Sequence, residues 1–255
     1  MAREEAAILT MRTSIAFAAL ASAAAAGTID DSVPDAVYVK YGASFAPYVR
    51  KCEVVEPSGR LAIGTCVVFA PHLAMTAAHV VNEAMTVTVG DNPVAAVFVH
   101  PKFDEANIGW NDIAILRCKA DFGLDHYPCY ATEADNEGAV CSLAGYGATG
   151  PISSGYSRSD GLLRAGTNTI KRRERTLLIC GINRRSSSRE FGIAPGDSGG
   201  PLFTGSGSDA RIAGIHSFTM RDGTGPLRSR EGEESAHTDV SLFSEWIEQV
   251  RGMVE

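Results

Sequence analysis

The 255-residue chain lacks an apolar run long enough to span a bilayer, a surplus of positive charge, a Cys-x-x-Cys pair and any repeat at a solenoid period. Each absence removes a class of protein. The longest apolar stretch, Ser14 to Ala26, is well short of the roughly 20 residues of a spanning helix. Lys plus Arg number 23 against 30 Asp plus Glu, a formal charge of -7, so nothing draws the chain to phosphate backbones and nucleic acid is not an expected partner. With 45% apolar and 21% charged residues it is too hydrophobic for a disordered segment. Six cysteines in this length are too few for a disulfide miniprotein. There is no Walker A sequence and no paired-His zinc motif, so no cofactor or metal is expected. Gly145-Tyr146-Gly147-Ala148-Thr149-Gly150 has the glycine spacing of a dinucleotide site, but Pro151 and two serines follow where a helix N-terminus would have to open.

What is present begins with a targeting signal. Met11-Arg12-Thr13 precedes the small, apolar run Ser14 to Ala26, which ends in Ala-x-Ala choices for cleavage. Residues 1–26 therefore read as a secretory signal peptide, with Met11 a possible true start because Glu4 and Glu5 suit a signal poorly. Removal near Ala24 to Ala26 leaves 27–255 as a secreted domain, extracellular or periplasmic, with no membrane attachment.

Val37 to Tyr41, Cys66 to Ala70, Met85 to Val89, Val94 to Val99 and Asp112 to Arg117 are short, β-branched runs separated by turn residues. The pattern resumes at Ala139 to Ala144, Thr176 to Ile182, Pro201 to Phe203 and Arg211 to Phe218. This is the spacing of an all-β sandwich or barrel protein in two halves, about 36–118 and 139–240, joined by a polar linker at 119–138. Tyr156 to Arg175, with Lys171-Arg172-Arg173, reads as a solvated basic loop. A helix at about 241–253 is expected from Leu242, Phe243, Trp246, Ile247, Val250 and Met253, which share one face.

Three segments carry chemistry: Thr76-Ala77-Ala78-His79, Asn111-Asp112-Ile113-Ala114 and Gly196-Asp197-Ser198-Gly199-Gly200-Pro201. A serine hydroxyl needs an adjacent base to act as a nucleophile at neutral pH, and the base needs a partner to fix its tautomer and stabilise its charged form. His79, Asp112 and Ser198 supply those parts. Glycines around the serine let backbone N–H groups, those of Gly196 and Ser198, face a developing oxyanion.

In this order the motifs resemble the trypsin and chymotrypsin-like serine proteases, over about residues 36–252. The resemblance implies two six-stranded antiparallel β-barrels with a C-terminal α-helix, His79 and Asp112 in the first barrel and Ser198 in the second. It implies a serine endopeptidase of the secreted bacterial type, with Ser198 as nucleophile, His79 as base and Asp112 orienting it. Ser217 looks like the family serine that contacts the catalytic Asp, on a strand that pairs with an extended peptide substrate. A catalytically silent, protease-fold binding protein is the alternative.

By the same resemblance Gly192 and Ile193 begin the pocket for the side chain before the cleaved bond (P1), and Gly192 stands where trypsin carries Asp, which argues against a basic P1. His216 is similar to the histidine with which glutamyl endopeptidases receive a carboxylate, and Thr219 adds a hydroxyl. An acidic or a small-to-medium apolar P1 follows. Among the cysteines, Cys52 and Cys66 fall about opposite each other on a hairpin and are placed to bridge, Cys141 and Cys180 lack their usual family partners, and Cys118 and Cys129 read as buried thiols. Asp197 is the family acid that pairs with a freed amino terminus, yet no Ile-Val-Gly-Gly sequence precedes it. Gly27-Thr28-Ile29 is a poor match, which leaves an internal cation or an unidentified terminus as its partner.

Overall fold

The computed structural model describes residues 27–254 except 108, 136, 184–186, 207–208 and 223; the proposed signal peptide lies outside the described residues. In chain order the strands are β1 (Thr28–Ile29), β2 (Val49–Val55), β3 (Leu61–Ala70), β4 (Leu73–Thr76), β5 (Thr86–Val89), β6 (Asn92–Val99), β7 (Ala114–Cys118), β8 (Cys129–Tyr130), β9 (Val140–Gly145), β10 (Gly150–Pro151), β11 (Arg164–Glu174), β12 (Leu177–Gly181), β13 (Phe191–Gly192), β14 (Pro201–Thr204), β15 (Arg211–Met220) and β16 (Glu234–Asp239). The α-helices are α1 (Asp35–Ala43), α2 (Ala78–Val81) and α3 (Ser244–Val254).

Strands β2-β3-β4-β7-β6-β5 close a six-stranded barrel, and β14-β9-β11-β12-β16-β15 close a second through the β14–β15 pairing. Every ladder within the two barrels is antiparallel. The all-β, two-barrel expectation holds. The β2–β3 turn forms at Glu56–Arg60, where Gly59 takes φ +81 and closes the reversal by donating its N–H to Glu56 O. Inside the first barrel Val54, Cys66, Val68, Ala74, Ala114 and Leu116 fill a dry core; Leu143, Ile170, Leu178, Phe191 and Leu202 do the same in the second. A third cluster lies between the barrels and beneath α3, built from Val67, Met75, Ile113, Ile215, Phe243 and Ile247 among others. Asp239 starts the terminal helical segment, its Oδ1 accepting from Ser241 N and Ser241 Oγ. Each fully covered aliphatic side chain on α3, such as Ile247, contributes about 1.5–3 kcal/mol to docking it.

In secondary structure the protein departs from the sequence reading in three segments. Val37 to Tyr41 is not a strand: it lies in α1, which packs on β11 of the second barrel, so barrel one begins at Val49 rather than near 36. Its apolar residues suit either a short strand or a helical turn, and tertiary packing decides. The basic stretch is no loop from Arg164 onward, because β11 runs through it. Lys171 and Arg172 meet Glu234, and Arg173 meets Asp239, so the positive run is paired across the sheet. The linker, 119–138, includes β8, which adds to β15 in parallel.

The cysteines are all thiols. Cys52 faces Gly64 in the ladder and Cys66 faces Arg50, so the two are offset by two residues instead of opposed. Cys141 Sγ and Cys180 Sγ are 3.9 Å apart, far beyond the roughly 2.05 Å of a disulfide. Cys118 is buried as expected, whereas Cys129 is exposed. Among the described residues no helix is long and apolar enough to cross a membrane.

Candidate active site

The seam between the barrels is where the three motif segments meet. β4 ends at Thr76, and Ala77 to Val81 turn into α2, which carries His79 out of the first barrel. Asp112 is fully buried on the approach to β7. Its Oδ2 lies 2.7 Å from His79 Nδ1, and its Oδ1 accepts the His79 backbone N–H at 2.9 Å. Ser217 Oγ donates to Asp112 Oδ2 at 2.5 Å, and Thr238 Oγ1 donates to the Asp112 backbone carbonyl at 2.9 Å, so β15 of the second barrel holds the carboxylate and β16 the backbone of a first-barrel residue. Burial works against charge on both partners. For Asp112, the His79 charge and the hydrogen bonds from His79 and Ser217 prevail and depress its pKa; for His79, Asp112 prevails and raises it.

Ser198 enters from the turn before β14. Ser198 O accepts from Thr65 N at 2.9 Å, and Gly196 O accepts from Thr65 Oγ1 at 2.9 Å, which fastens this turn to β3. Gly199 has φ +83, and a Cβ there would run into Thr76 Oγ1 and Thr65 O; only glycine lets the serine turn sit this close to the end of β4. Ser198 is half-buried. No hydrogen bond among the described residues uses the N–H of Gly196 or of Ser198, which leaves two donors side by side for an oxyanion.

Behind them lies Asp197, fully buried, accepting from Ala194 N, Gly147 N and Gly27 N at 2.8, 2.7 and 3.0 Å. Burial pushes its pKa up to about 7 despite those three amides. Gly27 N, one of these three donors, is held where β1 pairs with β10 and β13, and the Arg164 charge also acts to lower the Asp197 pKa. Gly27 has φ +53, and a side chain there would collide with the Phe191 ring, so this position admits only glycine.

The pocket residues are spread over two strands and a loop. Gly192 and Ile193 are buried beside β1, with Thr28 Oγ1 and Ile182 against Gly192. Ser217 and Thr219 lie on β15, whose pairing with β14 stops at Ile215 while that with β16 runs on to Met220; one edge from Ser217 onward is unpaired. His216 is wholly buried, its Nδ1 2.9 Å from Nδ1 of His237, and His237 Nε2 is 3.0 Å from Ser235 Oγ. Burial, reinforced for His216 by the neighbouring His237, holds both below the ordinary histidine range, His237 at about 3. His216 Nε2 makes no hydrogen bond of good geometry, with only the Ala144 carbonyl nearby. Sequence reasoning did not single out His237, Ser235, Thr65 or Thr238. None belongs to a motif, and only the ladder registers bring them to the site. No group of His, Cys, Asp or Glu among the described residues is arranged to hold a metal.

Fold and site together define a serine hydrolase built on two antiparallel barrels. The family model for trypsin matches residues 43–247, and the chain belongs to that family: it is a serine endopeptidase acting on peptide or protein substrates. Its similarity to chymase of Papio hamadryas is 25% identity over 231 residues, covering 80% of this chain and 85% of the chymase. In fold it is similar to mouse neuropsin, a serine protease expressed in the limbic system of the brain, with a TM-score of 0.63 at 19% identity over 80% of this chain and 94% of that one.

Proposed function

We propose that this chain is a secreted endopeptidase in which Ser198, His79 and Asp112 cleave the peptide bond through an acyl-enzyme. The observation that carries the reading is the His79–Asp112–Ser217 hydrogen-bonded set at the seam where the Ser198 turn, with two unused N–H groups, is fastened. Ser198 Oγ attacks the carbonyl carbon and its proton passes to His79 Nε2. The oxyanion is received by the N–H groups of Gly196 and Ser198, each donor being worth about 3–4 kcal/mol in such sites. His79 then returns the proton to the departing amine, and water repeats the sequence to release the acid. Asp112 stays ionised throughout and stabilises the imidazolium. Water is the only co-reactant this chemistry needs. The substrate lies extended along the open edge of β15 from Ser217 to Thr219, adding a strand.

Gly192 puts no carboxylate at the pocket base, so P1 is not basic. Ile193 favours a small or medium apolar P1. Buried His216 favours an acidic one, because its Nε2 lacks a hydrogen bond of good geometry and, as a neutral imidazole N–H, can donate to a carboxylate. The two separate by P1 profiling on peptide libraries at pH 6–8, with His216→Ala alongside: a Leu or Ala preference unchanged by the substitution removes the acidic reading.

The mature chain in this reading opens at Gly27. Cutting after Ala26 turns the amide 3.0 Å from Asp197 Oδ2 into an ammonium and gives a buried carboxylate its counter-charge. Signal removal and activation are then one event. Labelling of the mature protein by a fluorophosphonate, and casein hydrolysis that disappears in Ser198→Ala, test the activity. A mature protein that neither labels nor cleaves is the silent binding protein instead.

A further inference from the structure

Arg164 is completely buried, yet no step of the proposed chemistry uses it. Its guanidinium makes four short hydrogen bonds: Nε and Nη2 to the two oxygens of Asp35 at 2.7 and 2.8 Å, Nη1 and Nη2 to the two oxygens of Asp160 at 2.8 and 2.7 Å. Two forked carboxylate contacts on one planar cation fix geometry as well as charge. Asp35 is the first residue of α1, and the helix presses so closely on β11 that a Cβ at Gly42 would meet Leu163 O and the Arg164 backbone. From α1 the connection runs inward, because buried Tyr38 accepts the N–H of Asp30 through its hydroxyl. Asp30 follows β1, and β1 carries Gly27 to Asp197. On its other side Arg164 stands opposite Gly145 in the β11–β9 ladder, and Gly145 abuts the Asp197 carboxylate so tightly that any side chain would strike it.

We propose that Arg164 is a positioning residue for catalysis: by clamping α1 to β11 it seats the Gly27 terminus against Asp197, and so keeps the Gly196–Ser198 donors in their working arrangement. This deepens, and rests on, the reading that the mature chain begins with a free Gly27 amine. Loss of the clamp shifts molecules toward a state with the terminus withdrawn and the oxyanion donors displaced. Substrate binds both states alike through the β15 edge, but only the seated state turns it over.

The experiment uses mature enzyme carrying Arg164→Met, Arg164→Lys or Asp35→Asn. It compares kcat and KM on a peptide amide, and the rate at which cyanate carbamylates the Gly27 amine by mass spectrometry. Arg164→Met is expected to lower kcat on the order of tenfold, the usual size of coupling between linked sites, with KM nearly unchanged. Its Gly27 amine is expected to label faster by at least that factor, because the withdrawn state, scarce in the wild type, becomes the major one. Arg164→Lys falls in between, since an ammonium cannot make the fork. Asp35 and Asp160 are 34% and 31% exposed, so removing the cation leaves carboxylates that water can reach. Should Arg164→Met fail to fold, Asp35→Asn leaves Arg164 bonded to Asp160 and decides by the same two readouts. A folded variant with wild-type kcat and wild-type labelling overturns the proposal. Wild-type enzyme that keeps full kcat once its Gly27 amine is carbamylated overturns the underlying reading instead, whatever Arg164 does.

Discussion

Acetylating the amine of Gly27 restores the neutral amide seen in the structure, and the consequence for stability can be worked from Asp197. Burial holds that carboxyl at about 7 in the folded protein, against 3.8 for the free side chain, despite three amide donors and the Arg164 charge. A group whose folded pKa is raised binds its proton more tightly when folded, so stability is lost as pH rises through the window from about 4 to 7. The full loss corresponds to about 4 kcal/mol once Asp197 has ionised. In protein cut after Ala26, an ammonium at the position of the Gly27 nitrogen, 3.0 Å from Asp197 Oδ2, would bear that charge, and the loss should not occur until the amine itself deprotonates. At 2–4 °C per kcal/mol for a chain of this size, the acetylated protein should melt roughly 10 °C below the free-amine protein at pH 7.5. The two should converge toward pH 4.5. Thermal unfolding of both forms between pH 4.5 and 8, by calorimetry or circular dichroism, makes the comparison. Curves that stay parallel over the whole range would refute the pairing of Gly27 with Asp197.

Other outcomes follow from the same geometry. Ser198→Ala should lower kcat by about 10⁴- to 10⁶-fold while the protein stays folded, read as loss of peptide hydrolysis with unchanged unfolding temperature. Asp112→Asn should lower kcat by about 10⁴-fold. Because Asp112 raises the His79 pKa, the acid limb of kcat/KM, which falls as His79 protonates, should move to lower pH in that variant; a limb that stays in place would detach Asp112 from His79. Gly199→Ala should be strongly destabilising, since φ +83 and contact with Thr76 and Thr65 leave a methyl no room. Iodoacetamide applied to native protein should modify Cys129 alone, and all six cysteines after unfolding without reductant; a shortfall in the second count would reveal a disulfide.

The terminal helix was legible because it is specified locally, by a 3.6-residue apolar stripe. The three motif segments stood out because Ser, His and Asp are chemically distinctive residue types, and the fold brings the segments to one seam. α1 was not legible. Nine residues of mixed character have no preference strong enough to choose a helix before Arg164 and Tyr38 anchor them. The Cys52–Cys66 geometry was set in a comparable way: hairpin spacing suggests opposition, whereas the register, fixed by seven consecutive ladder pairs, makes the two thiols diagonal neighbours on one face.

By itself the sequence determined the class of fold, through the period and spacing of its apolar runs, and the chemical inventory of the site, through residue types that have few other uses in such company. Only tertiary structure decided that Asp197 meets Gly27, that His216 leans on His237, and that the basic run of β11 is neutralised by Glu234 and Asp239. These are contacts between residues 21 to 170 positions apart, or across strands whose register no local pattern encodes. A buried charge or imidazole finds its partner only when closing the barrels brings those strands together.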